Sequence, residues 1–145
     1  MREPLCGTYN PSIDAKGRMS FPNKLRDVLG PEFFLCKGPE IDKQYIAVYS
    51  VEDFKEYSAK LYEIPGDIGG EIRRVILAGA EKQSPDKQGR IFIPAMLREY
   101  AGIEGEVTVI GNYNKAEIWN PAKLTVDSQS IDPEAYKAAM AGFVF

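Results

Sequence analysis

The chain contains no histidine, and among its 145 residues only Cys6 and Cys36 are cysteines. Without imidazole it lacks the commonest general base and the commonest metal ligand. Two thiols do not complete a zinc site on their own, and neither lies in an activating setting. Both are expected to be buried free thiols in a reducing compartment. Also missing is any uncharged apolar stretch of the ~18–20 residues that crosses a bilayer. The opening "MREPLCGTYN" lacks the apolar run of a secretory signal. Pro11 follows Asn10, so "NPS" is no glycosylation acceptor. The expectation is a cytoplasmic protein with no cofactor, no metal and no membrane partner.

A surplus of positive charge is absent too. The net charge of −3 argues at first against a nucleic-acid partner, since such domains are usually basic. Its distribution argues otherwise. Between Asp14 and Arg26 one acid stands against Lys16, Arg18, Lys24 and Arg26, a local +3. Between Asp86 and Arg98 one acid stands against Lys87, Arg90 and Arg98, a local +2, which leaves −8 for the remainder. Asp27 and Glu99 lie just outside these windows and trim each by one.

These two windows are nearly the same text. "DAKGRMSFPNKLRDVLG" from Asp14 and "DKQGRIFIPAMLREYAG" from Asp86 keep Asp, Gly, Arg, Pro, Leu, Arg and a closing Gly in step, seventy-two positions apart. Gly17 and Gly89 supply a permissive backbone at a tight turn, with Asp14 and Asp86 placed to accept hydrogen bonds from its amides. In the strand that follows, Met19 and Phe21 alternate with Arg18 and Ser20, and Ile91 and Ile93 with Arg90 and Phe92. The apolar set marks the core face, so both arginines are predicted to point outward.

Pro22 and Pro94 suit the first helical position, and Gly30 and Gly102 suit helix ends. Leu25, Val28 and Leu29 in one copy, Leu97 and Ala101 in the other, form the buried stripe. "FFLCK" and "VTVIG" read as strands with "YIAVYS" and "AEIWN" as hairpin partners. Ser50 caps a helix with Phe54, Tyr57 and Leu61 on one face, ended by Pro65-Gly66. "GEIRRVILAGAEK" repeats the helical pattern through Ile72, Val75, Ile76 and Gly79, and a last helix runs from near Asp132-Pro133 to Gly142. The terminal "FVF" is expected to dock on the core or on a neighbouring subunit. Two halves of this size are marginal alone. They are predicted to pair about a pseudo-twofold axis as repeats 1–64 and 65–145, with the Arg18 and Arg90 turns side by side.

At these residues the chain resembles the MraZ family, from "GTYNPSIDAKGRMSFPNKLR" through "DKQGRIFIPAMLR" to "AEIWNPAKL". The doubled D-x-x-G-R turn followed by hydrophobic-Pro-x-x-Leu-Arg is also similar to the SpoVT/AbrB superfamily of swapped-hairpin DNA-binding domains. The resemblance implies an α+β fold with a mainly β core, a duplicated swapped-hairpin AbrB-like β-barrel with flanking helices. It further implies a ring-shaped, octamer-like homo-oligomer in the cytoplasm, associated with the nucleoid. The implied function is repression of its own promoter, in the division and cell-wall operon, by binding short direct repeats in double-stranded DNA. The family's D-x-x-x-R motif falls on Asp14–Arg18 and Asp86–Arg90.

The chemistry fits that expectation. A guanidinium presents a rigid fork of donors for phosphate or the O6/N7 edge of guanine, which suits Arg18 and Arg90. Lys16 and Lys87 suit phosphate, and Gln88 suits adenine or the DNA backbone. Asp14 and Asp86, with Gly17 and Gly89, hold and orient the loops. The plainer reading of each turn is a local ion pair, worth about 0–1 kcal/mol. Arg26 and Arg98 are assigned to structural pairing or subunit contact, and Arg73-Arg74 to a solvated helix face. An enzyme is not expected, since "GDIGGE" lacks the order of a dinucleotide fingerprint and no nucleophile–base pair stands out. The other rival is a non-enzymatic scaffold or an antidote-like protein-interaction module.

Overall fold

The computed structural model describes residues 3–143. The chain opens with β1 (Thr8–Tyr9), β2 (Arg18–Ser20), α1 (Asn23–Leu29) and the hairpin β3 (Phe33–Lys37) and β4 (Ile46–Ser50). Helices α2 (Val51–Tyr62) and α3 (Gly66–Leu77) follow. The order then recurs as β5 (Glu81–Gln83), β6 (Arg90–Phe92), α4 (Ala95–Ala101), β7 (Thr108–Asn112) and β8 (Lys115–Trp119). Helix α5 (Pro133–Met140) comes last.

Six strands form one antiparallel sheet in the order β1-β7-β8-β4-β3-β5, and β2 pairs with β6 in a separate ladder. β4 is central, and all five of its residues are buried. Alternation assigns the sheet's two faces. Phe33, Leu35, Ile46, Val48, Ala116 and Ile118 face a core shared with Met19, Phe21, Ile91, Ile93 and the helix residues Leu25, Leu29, Leu97 and Ala101. Cys36, Tyr45, Ala47, Tyr49 and Trp119 face a second core closed by Phe54 and Leu61 of α2 and Ile76 of α3. The sheet is thus clamped between the layer that bears the turns and the α2–α3 layer. Burying a large aliphatic or aromatic side chain contributes about 1.5–3 kcal/mol, so both layers are firmly held.

Several expectations change in detail. The predicted barrel does not close: among the described residues the sheet ends in β1 on one edge and β5 on the other. β2 and β6 end just before Pro22 and Pro94. Proline lacks an amide hydrogen, which limits further pairing along these strands. Both prolines precede their helix by one residue, at the cap rather than the first helical position. Pro22 and Pro94 have ψ of 127° and 149°, and Gly30 and Gly102 end the helices at φ of 100° and 66°.

Helix α3 starts at Gly66, earlier than the "GEIRRV" pattern suggested, and stops at Leu77. Glu81–Gln83 extends the sheet beside β3 instead of continuing the helix. Val75 is 38% exposed while Ile76 is buried, so the apolar face is narrower than predicted. Ser50 does cap α2, accepting a hydrogen bond from Asp53 N at 3.1 Å. Helix α5 is exposed along its length, and Phe143 is 67% exposed rather than docked on the core. The rest of the "FVF" tail lies outside the described residues. No helix among the described residues is long and apolar enough to cross a membrane.

Candidate functional site

Each repeated segment begins in a turn closed by one aspartate. Asp14 Oδ1 accepts from the amides of Lys16 and Arg18, both at 2.9 Å. Asp86 Oδ1 accepts from Gln88 and Arg90 at 2.9 Å. Backbone bonds reinforce both: Gly17 N donates to Asp14 O at 3.0 Å and Gly89 N to Asp86 O at 2.9 Å. The glycines have φ of 94° and 79°, the left-handed region in which a Cβ is strained. These bonds hold each carboxyl below its ordinary 3.8, the amide of Arg18 or Arg90 being the largest cause.

The ladder decides where the arginines go. β2 and β6 run antiparallel with Arg18 opposite Phe92, Met19 opposite Ile91 and Ser20 opposite Arg90. Residues directly opposite share a face, so Arg18, Ser20, Arg90 and Phe92 line one side while Met19 and Ile91 fill the core. The arginine side chains are 41% and 37% exposed. They occupy diagonal corners of this face, two residues apart along the strands, or about 7 Å at a strand's rise per residue. The turns lie at the two ends of one short ladder.

The tethers differ. Arg90 Nε donates to Asp86 Oδ2 at 3.1 Å, whereas Arg18 Nε lies 3.8 Å from Asp14 Oδ2. Lys16, Lys87 and Gln88 are exposed at the tips. An open cleft beside the second turn is lined by Ser20, Asn23, Arg26 and Gln88, without a carboxylate. The cleft beside the first turn includes Arg98 but also Asp14, Glu99 and Glu104. A further cleft, on the other side of the second turn, is lined by Arg26, Asp27, Ser84 and Pro85, so acidic side chains lie near both turns.

Ser20 and Phe92 were not among the predicted site residues, although strand alternation already put them on the arginine side. Phe92 is 44% exposed. Arg98 is paired with backbone rather than with an acid: its Nε donates to Ile93 O at 2.8 Å. Arg26 Nε is buried and has no hydrogen-bond partner among the described residues. Arg74 is exposed as predicted, while Arg73 is half-buried, its Nη1 donating to Leu61 O at 3.0 Å and tying α3 to the end of α2. Cys36 is buried and its thiol is pushed up to about 12 by desolvation, while Cys6 is exposed, contrary to expectation. Among the described residues no cluster of three or more cysteine or acidic side chains is arranged to hold a metal. The buried Glu117 is used structurally, accepting from Trp119 Nε1 and Asn112 Nδ2 at 2.9 Å each and pairing with Lys115.

Fold and turns together define an α+β protein that carries two aspartate-closed, arginine-tipped turns on a shared ladder. The family model described as "MraZ protein, putative antitoxin-like" matches residues 5–67 and 76–130. The chain is 41% identical over 143 residues to a protein of Acetivibrio thermocellus named "Transcriptional regulator MraZ", covering 94% of this chain and 97% of that one. It is 45% identical over 118 residues to a protein of the same name from a Thermoanaerobacter strain, covering 80% of each. A namesake from Bifidobacterium longum is 40% identical over 118 residues, covering 80% of this chain and 77% of that protein. The chain belongs to the MraZ family.

Proposed function

We propose that the protein is a transcriptional regulator that binds double-stranded DNA through its two turns. One observation carries the reading: both arginines leave the same face of the β2–β6 ladder, each beside an aspartate already occupied by backbone amides. A carboxylate whose lone pairs are engaged locally orients its arginine with less repulsion of phosphate. In this reading Arg18 and Arg90 contact base edges or phosphate, Lys16 and Lys87 contact phosphate, and Gln88 contacts adenine or backbone. Residues 1–64 and 65–145 act as two swapped-hairpin halves of one unit. Copies of the chain assemble into an octamer-like ring whose repeated turns engage short direct repeats with avidity. The regulated promoter is its own, in the division and cell-wall operon, and the effect is repression. The protein works in the cytoplasm at the nucleoid, as a binder rather than an enzyme.

A mobility-shift assay with DNA from upstream of the protein's own gene tests this. Sequence-preferring retardation that weakens as salt rises is expected. Wild-type retardation by both Arg18→Ala and Arg90→Ala would remove the assignment. The family description "antitoxin-like" favours a second reading, a protein-interaction module. Indifference to DNA sequence in the same assay would support it over regulation.

A further inference from the structure

The two helix arginines are crossed between the repeated segments. Arg98, on α4, reaches the turn of the first segment: a Cβ built on Gly17 would lie 2.9 Å from Arg98 Nε and 2.7 Å from Ile93 O. Arg26, on α1, reaches the turn of the second: a Cβ on Gly89 would lie 3.0 Å from Arg26 Nη2 and 3.2 Å from its Cζ. Backbone bonds cross in the same sense. Ile93 N donates to Gly17 O at 2.8 Å, and Phe21 N to Gly89 O at 3.0 Å. Each turn therefore rests on the strand end and helix arginine of the other segment. The absence of a side chain on either glycine lets a planar guanidinium pack against the turn.

We propose that Arg26 and Arg98 are positioning residues, each setting the turn of the opposite segment so that Arg18 and Arg90 are presented to DNA as one rigid pair. The inference rests on the DNA-binding reading above and extends it to how the two arginines are coupled. Each turn is held by the strand end and helix of the opposite segment, so each brace acts on one turn. The grip is uneven. Arg98 is anchored by the Ile93 carbonyl, whereas Arg26 Nε has no hydrogen-bond partner among the described residues, so the second turn is the more loosely braced.

Amide hydrogen exchange in the full chain separates this from a general structural role. Arg98→Ala is expected to speed exchange of the Lys16, Gly17 and Arg18 amides by about tenfold or more while sparing Gln88, Gly89 and Arg90. Arg26→Ala is expected to do the reverse with a smaller change. Arg98→Lys, which keeps the charge but not the planar fork, is expected to restore neither exchange protection nor DNA affinity, and also serves if the alanine variant folds poorly. Equal loosening of both turns, loosening only within the mutated segment, or full rescue by lysine would overturn the proposal. For DNA affinity, Arg98→Ala is expected to be non-additive with Arg18→Ala and additive with Arg90→Ala. Additivity with both would overturn it, even with the exchange pattern intact. Should Arg18→Ala and Arg90→Ala leave binding unchanged while the crossed exchange pattern holds, the DNA reading fails and the brace survives as structure alone.

Discussion

The turns at Asp14–Arg18 and Asp86–Arg90 carry the same hydrogen-bonding pattern and yet sit in different surroundings. The first is hemmed in by backbone and by an anchored arginine, and its own Arg18 is loosely tethered at 3.8 Å. At the second, the three atoms nearest a Cβ on Gly89 all belong to the Arg26 guanidinium, and its Arg90 is held at 3.1 Å. The firm turn thus presents the more loosely paired arginine and the looser turn the more closely paired one. Duplication preserves the local bonding, while each copy's neighbours set how much it can move.

The sharpest probe of that contrast is alanine at the turn glycines. Gly17→Ala is expected to destabilise the protein by about 3 kcal/mol or more, since positive-φ strain and overpacking each cost about 1–3. The new methyl would meet Ile93 O, a backbone atom that cannot swing aside. Gly89→Ala is expected to cost about 1–2 kcal/mol, mostly backbone strain, because Arg26 can yield. Urea unfolding measures both, and equal losses would dissolve the distinction.

Smaller effects concern binding. Arg18→Ala and Arg90→Ala are each expected to weaken DNA affinity by about 1–3 kcal/mol for every base edge no longer read, with stability within about 0.5 kcal/mol of the parent. A flatter salt dependence with unchanged sequence preference would mark a phosphate partner instead. Comparing the two affinities by titration calorimetry tells which copy dominates.

The pH response follows from the lowered aspartate pKa values. A carboxyl depressed on folding contributes stability that is fully present above its unfolded value and is lost as pH falls through the folded one. Both turns are therefore expected to stay ordered as pH drops to 3.8, and to loosen only below it. Carboxyl titration by NMR checks this, and a midpoint for either aspartate at or above 3.8 would contradict the bonding described. The least change is expected from Phe92→Ala. At 44% exposure the ring leaves little core behind, so stability should move by no more than about 0.5 kcal/mol. Any weakening of DNA binding would then show that the ring touches DNA on the arginine face.

Much of this is legible in the sequence because it is short-ranged. An aspartate four residues before an arginine with glycine between them specifies a turn, and alternation after Arg18 and Arg90 assigns faces. The hairpins, the Ser50 cap and the glycine helix ends follow from equally local rules. Glu81–Gln83 escapes because three polar residues at a sheet edge show no apolar alternation. The start of α3 escapes because "GDIGG" is poor in helix formers, although Gly69 allows the Ile64 carbonyl a close approach that a Cβ would block.

Residues within a few positions of one another share backbone constraints, so glycine torsions, side-chain period and aspartate bonding could be inferred from the order of amino acids. Arg98 beneath Gly17, Arg26 beneath Gly89 and the open rather than closed sheet join residues that are distant in the chain. Such arrangements depend on how two cores pack against a single sheet. That packing is a collective outcome of many side chains, and no local pattern encodes it.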